Sequence, residues 1–287
     1  MTVDWARSVV VLVTPDGVLR HRAVPILRRL IAAGFAATHC RLCRLGPEDL
    51  DEMYRSNIDF VWETFRYRLL DQAFQLGPCL ALALTDVGDD GDPHGRMSRL
   101  KGATDPGRAP VGTLRRDLGG INGLLGLLHA SDSAEEAAYD SSVLFPGGME
   151  GWEASAGEVG RRCALLERAT VLETRGFEDV VGGVRARLLT ALWPEVGEAG
   201  RRAVADLVAR GRLGARGAGA AVARAAALAA EPLLDVLAAE FEPADPGPDP
   251  AAVQRLLAAR GLALDRWESL MLATSRVFRP VRGPEAG

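Results

Sequence analysis

Two hydrophobic periods alternate along the first half of the chain. Ser8–Val13 is a short β-branched apolar run, ended by the turn signal Thr14-Pro15-Asp16-Gly17, and reads as a strand. From His21 to Ala33 the apolar positions Val24, Leu27, Leu30 and Ile31 recur at helical spacing; Pro25 falls in the first turn and Gly34 supplies a stop. Phe35–Leu45 reads as a second strand. Pro47–Tyr54 opens on proline and acids, as a helix should, and a further helix covers 59–75. Cys79–Thr85 is a strand bounded by Gly77-Pro78. An acidic turn, a helical turn at Arg96–Lys101 and a Gly/Pro-rich loop to about Ile121 follow. A last strand is expected at Gly123–Leu128, and Ser131-Asp132-Ser133 then starts a helix.

The order β-α-β-α-α-β-loop-β-α is compatible with an α+β, ferredoxin-like βαββαβ core carrying an extra helix pair and a long loop. After Pro146 the strand signals fade and Ala, Leu, Arg and Glu dominate. Helices are expected near Trp152–Leu172, Phe177–Leu192, Ala199–Arg210, Ala218–Phe241, Pro250–Arg260 and Asp265–Val277. Two domains follow, 1–148 and an all-α domain 149–287 with no chemical motif.

Composition narrows the partners more than the fold. A net charge of -4 argues against nucleic acid or an anionic membrane as a default partner. No apolar run is long enough to span a bilayer, and the N-terminus has no signal-peptide pattern, so a cytoplasmic protein is expected. Cys40 and Cys43 form a CxxC, but on a strand they point to opposite faces and no second pair completes a zinc site; buried thiols are expected. The acidic turn with Asp86, Asp89, Asp90 and Asp92 does not fit a calcium loop.

Four blocks carry chemistry: TPDGV (14–18), GATDP (102–106), GTLRRD (112–117) and HASDS (129–133). In this order and spacing they resemble a nucleoside diphosphate kinase over about residues 5–146. The resemblance implies that His129 is a nucleophile, taking the γ-phosphoryl of a nucleoside triphosphate and passing it to a diphosphate. An imidazole suits this because its pKa lies near neutrality. His21, His39 and His94 read as ordinary surface or core histidines. The resemblance also implies that Asp140, eleven residues on, orients the ring in place of a family glutamate, and that Ser131 stands beside it; Ser131 reads equally as a helix N-cap.

For the nucleotide, the resemblance points to Thr104 and Arg115 on the phosphates, with Arg20 matching a recurrent arginine. Arg96 or Arg99 supplies a second phosphate cation, the spacing before GATDP being two residues longer than usual. Tyr54 matches an active-site tyrosine. Trp62, Phe65 and Tyr67 compete to stack on the base, although core packing suits each of them. Mg²⁺ is expected to arrive with the nucleotide, and no metal ligand set is expected in the protein. Nucleoside tri- and diphosphates are the expected partners, with homo-oligomerisation implied by the family. Two departures stand out. Thr14 occupies the position of the family's phosphate-binding lysine, and Gly126 that of an asparagine three residues before the histidine. Loss of one well-aimed donor costs about two to three powers of ten in rate. A slow or specialised phosphotransferase is therefore expected, with a nucleotide-binding regulatory module as the alternative. Lys101, the only lysine, is a further cation within reach of the phosphates.

Overall fold

The computed structural model describes residues 3–55, 64–88, 91–169, 172–226 and 232–282, and for 64–67 the backbone alone. The first unit carries strands β1 (Ser8–Val13), β2 (Phe35–Cys43), β3 (Cys79–Asp86) and β4 (Leu128–Ala130). They form one antiparallel sheet in the order β2-β3-β1-β4, the ferredoxin-like arrangement. Helices α1 (Pro15–Leu19), α2 (Ala23–Ala32), α3 (Pro47–Met53), α4 (Thr64–Phe74), α5 (Pro93–Lys101), α6 (Leu114–Asp117), α7 (Ala134–Leu144) and α8 (Ala156–Ala169) cover it.

β1 is buried along its whole length because both faces of the sheet are covered. Val9, Val11 and Val13 pack with Ile26, Leu27 and Leu30 of α2 and with Val159, Cys163 and Leu166 of α8. Val10 and Leu12 face Leu50 and Met53 of α3, Leu70 and Phe74 of α4, and Ala137 and Leu144 of α7. Cys40 belongs to the first of these clusters and Cys43 to the second, so the CxxC does straddle the sheet. All four cysteines are free and buried; burial pushes the Cys43 thiol up to about 11 and Cys163 up to about 12.

Three local expectations change. The TPDG turn continues into α1, because Pro15 at its first position costs no helical hydrogen bond. The strand expected at Gly123–Leu128 lies later and is only Leu128–Ala130. Residues before it are held in a loop: buried Asn122 accepts from the Leu124 and Leu125 amides through Oδ1, at 3.0 and 2.9 Å. The sequence predicts a helix from Trp152, but 152–154 is extended and pairs with the open edge of β2. Cys40 N–H donates to Trp152 O at 2.9 Å, and Ala154 N–H donates to Thr38 O at 2.8 Å.

That extended segment and α8 also move the domain boundary. The first compact unit is Met1–Glu173, not 1–148, because α8 forms part of the helical cover over the first-named sheet face. The segment 152–154 blunts an edge strand that would otherwise offer unpaired backbone groups.

The second unit, Thr174–Gly287, is helical where described: α9 (Phe177–Leu192), α10 (Glu198–Ala209), α11 (Ala218–Ala226), α12 (Pro232–Ala238), α13 (Pro250–Ala258) and α14 (Arg266–Ser275). The helix expected over 218–241 is seen as α11 and α12, with 227–231 outside the described residues. α9 buries Phe177, Val180, Val181, Val184, Leu188, Leu189 and Leu192. It also buries Arg185 completely, whose guanidinium donates to the carbonyls of Leu213, Ala215, Leu237 and Ala239 and to Glu240. Glu268 is equally buried and accepts from Arg175 and Arg187 at 2.7 and 2.6 Å. Among the described residues no helix is long and apolar enough to cross a membrane.

Candidate active site

His129 lies in the middle of β4, opposite Leu12 of β1. Its neighbours Leu128 and Ala130 enter the α2 side of the sheet, so alternation turns the imidazole toward α3 and α7. There the His129 Nε2 lies 2.8 Å from Asp140 Oδ2, and the Asp140 side chain is almost wholly buried. The short aspartate reaches the ring. An ionised carboxylate only accepts, so this hydrogen bond places the proton of the neutral imidazole on Nε2 and leaves the lone pair on Nδ1. Tyr54, just after α3, packs edge-on against the ring with centroids 5.8 Å apart and an interplanar angle of 67°. Burial pushes its phenol above the ordinary range, so it stays neutral. Tyr139 on α7 donates to the Glu52 carbonyl at 3.0 Å, tying α7 to α3 beside the site.

One turn before Asp140 on α7, Glu136 presents its Oε1 3.9 Å from the same Nε2. Its Oε2 accepts the Asp132 N–H at 2.7 Å. Residues four apart on a helix share a face, which is the signal that would have singled Glu136 out. The N-cap of α7 is Ser133, whose hydroxyl accepts the Glu136 N–H at 3.1 Å, and not Ser131. Ser131 is fully buried. It joins the strand pairing instead: its N–H donates to Val10 O at 3.1 Å, and Val10 N–H donates to its Oγ at 3.1 Å.

Thr14 is committed to the fold. Its hydroxyl donates to Asp16 Oδ1 at 2.6 Å, and the Leu127 N–H donates to Asp16 Oδ2 at 3.0 Å. Thr14 N–H also donates to Leu127 O at 3.1 Å. Leu127 sits at φ 75°, a left-handed conformation a leucine holds only when its surroundings demand it. Gly17 permits that close approach, since a Cβ there would lie 2.3 Å from Leu127 O. Burial raises the Asp16 carboxyl, opposed by the Thr14 hydrogen bond and by Arg20. This clamp sets the loop that leads into His129.

Arg115 is nine-tenths buried beneath the site. It donates through Nη1 to Gly102 O at 2.9 Å and through Nη2 to Leu128 O at 3.0 Å; its Nε is buried and meets no acceptor among the described residues. Burial lowers the guanidinium pKa. Gly126 lies against it, with room for a Cβ 3.5 Å from Nε. Lys101 is also buried, and its Nζ donates to Ala130 O at 2.7 Å and pairs with Asp132 at 2.7 Å.

Other sequence candidates lie elsewhere. Arg96 pairs with Asp86 at the opposite end of β3 and covers the Phe35 ring at 4.8 Å. The two extra residues before GATDP amount to a little over half a helical turn, which carries Arg96 to another face of α5. Arg99 is exposed, pairs with Asp92 at 3.5 Å, and lines a cavity of about 490 Å³ with Ser98, Gly102 and Thr113. Thr104 is exposed in the loop after α5. Arg20 donates to Gly119 O, Arg22 donates to Leu118 O at 3.0 Å, and Arg29 pairs with Asp117 at 3.1 Å, so three arginines hold the long loop. Trp62 and the side chains of Phe65 and Tyr67 lie outside the described residues.

The family model for nucleoside diphosphate kinase matches residues 7–149, which hold all of these elements. A nucleoside diphosphate kinase of Metallosphaera sedula is 30% identical over 138 residues, 47% of this chain and 90% of that protein. Nucleoside diphosphate kinase 3 of Homo sapiens is 35% identical over 146 residues, 50% of this chain and 81% of that protein. The crystal structure of the Aquifex aeolicus nucleoside diphosphate kinase aligns with 49% of this chain and 96% of its own, at 26% identity and a TM-score of 0.42. Through residues 7–149, the chain belongs to the nucleoside diphosphate kinase family.

Proposed function

We propose that the first unit is a phosphotransferase that works through phospho-His129. The observation that carries the reading is the 2.8 Å bond between Nε2 and buried Asp140, which leaves the Nδ1 lone pair as the nucleophile. Nδ1 forms a bond to the γ-phosphorus of a nucleoside triphosphate as the bond to the bridging oxygen breaks, and the diphosphate leaves. As positive charge develops on the ring, Asp140 stabilises it. The second half-reaction transfers the phosphoryl to an acceptor oxygen, of a nucleoside diphosphate or of a more specialised phosphate compound. Mg²⁺ enters with the triphosphate as part of the substrate.

A second reading, a nucleotide-binding module that transfers phosphoryl weakly and regulates through the helical unit, is favoured by one observation. The cations and donors that phosphates need are already engaged: Thr14 with Asp16, Arg96 with Asp86, and Lys101 with Asp132 and Ala130. Incubation with labelled ATP or GTP and magnesium separates the two. The phosphotransferase reading expects an acid-labile label on the wild type and none on His129→Ala. Equal labelling of both proteins, or none on either across mildly acidic to mildly basic pH, removes it. Labelling followed by transfer to nucleoside diphosphates identifies those as the acceptors, whereas a stable label favours a different one.

A further inference from the structure

Two carboxylates, Asp140 and Glu136, converge on a single nitrogen, His129 Nε2. One N–H can serve only one of them, and the shorter contact goes to Asp140. Glu136 Oε1, 3.9 Å away, receives no hydrogen among the described residues, while its other oxygen is held by the Asp132 N–H. Two carboxylate groups thus face one N–H. Lys101, the nearby ammonium, is committed to Asp132.

We infer that His129, Glu136 and Asp140 form a site for a borderline divalent cation such as Zn²⁺, and that this cation switches off the nucleophile. The three ligand atoms lie within 4.8 Å of one another. Zinc bound at about 2.0–2.2 Å in a tetrahedron sets its ligands roughly 3.3 Å apart, so the 2.8 and 3.9 Å separations from Nε2 need shifts of about half an ångström and the two carboxylates, within 4.8 Å of each other, close by at most about 1.5 Å. The Asp132 N–H on Glu136 Oε2 acts as an outer-shell contact that aims Oε1 at the imidazole. A nitrogen ligand selects zinc over magnesium, which prefers oxygen and keeps its water.

The switch follows from proton bookkeeping on the ring. Metal at Nε2 takes that nitrogen's lone pair and displaces its proton. The neutral imidazole then carries its proton on Nδ1, so Nδ1 has no lone pair with which to attack phosphorus. No oxidant or co-reactant is involved. This consequence rests on the phosphotransferase reading, whereas the metal site itself does not.

The test uses the full chain in metal-free buffer. Isothermal titration with Zn²⁺ should give one site per chain, weakened by at least about tenfold in Glu136→Gln and lost in His129→Ala. Co²⁺ in place of zinc should give visible d–d absorption without the near-ultraviolet thiolate charge-transfer band. Equal Zn²⁺ affinity in wild type and Glu136→Gln, or a thiolate band showing cysteine ligation, overturns the site. With Mg-ATP, Zn²⁺ should suppress labelling of the wild type at concentrations that leave Glu136→Gln at its own zinc-free rate. Zinc that binds His129 without suppressing labelling overturns the switch. Failure of the wild type to label at all sinks the phosphotransferase reading and leaves the titration to judge the site.

Discussion

Arg185 and Arg115 are both buried guanidiniums, and they differ in what remains unspent. In the helical unit, Arg185 places its five N–H groups on five acceptors, four carbonyls and Glu240, at 2.9–3.1 Å. Even its neighbour is shaped to it: a Cβ at Gly219 would meet Leu237 O at 1.8 Å and Arg185 Nε at 2.7 Å. In the sheet unit, Arg115 donates to two carbonyls and keeps an idle Nε, and beside it His129 keeps Nδ1 open. Saturation marks an ion that holds the fold together. An unspent donor or lone pair on a rigid element marks a place where something else is to bind.

The largest effect expected from breaking this contrast comes from truncation. Ending the chain after 148 removes Val159 and Leu166, each contributing about 1.5–3 kcal/mol by burial, and with them the segment that closes the β2 edge. The loss, roughly 5 kcal/mol, is comparable to the whole stability of a domain. Such a chain should aggregate, while one ending after Glu173 should unfold cooperatively. Circular dichroism melts and light scattering compare them, and equal behaviour would restore the boundary at 148.

Next is the saturated arginine. Arg185→Ala leaves four carbonyls and Glu240 without their donor and should destabilise the helical unit by about 3–5 kcal/mol in urea, leaving labelling of His129 in the native protein unchanged. A loss below about 1 kcal/mol would mean that the network is not a stabilising unit. Thr14→Val keeps the shape and removes the hydroxyl from the buried Asp16 carboxylate, at a cost of about 1.5–3 kcal/mol. Because Asp16 clamps Leu127, labelling should fall as well. Unchanged stability and labelling would show that the clamp has no role in setting His129.

The smallest effect is electrostatic. Burial pushes the Asp132 carboxyl up, but the hydrogen bond and charge of Lys101 more than offset this, so its pKa lies below the ordinary 3.8. The folded state therefore binds this proton less readily than the unfolded chain. The contribution is present above the ordinary pKa and is lost as pH falls through the folded one. With Asp132 half-exposed, the gain is under about 1 kcal/mol. Asp132→Asn should flatten the acid limb of stability against pH by that amount; an unaltered limb would remove Lys101–Asp132 from the account.

Much of this protein is legible in its sequence alone. Strand β1, helix α9 and the four sequence blocks that frame His129 depend on local periodicity and spacing, which a linear chain displays directly. The pairing of His129 with Asp140 is expected from the family resemblance, which places a carboxylate eleven residues after the histidine. Only the tertiary structure decided where Thr14 spends its hydroxyl, that Arg96 turns to Asp86 at the far end of β3, and that Trp152 closes the edge of β2. It alone put Glu136 3.9 Å from Nε2 and sealed Arg185 among carbonyls drawn from two segments, 213–215 and 237–239. The reason is that periodicity fixes which face of an element is buried. The partner of a polar group is fixed instead by angstrom-scale packing between segments far apart in the chain, and there an unmet hydrogen bond costs enough to choose among partners that sequence leaves equivalent.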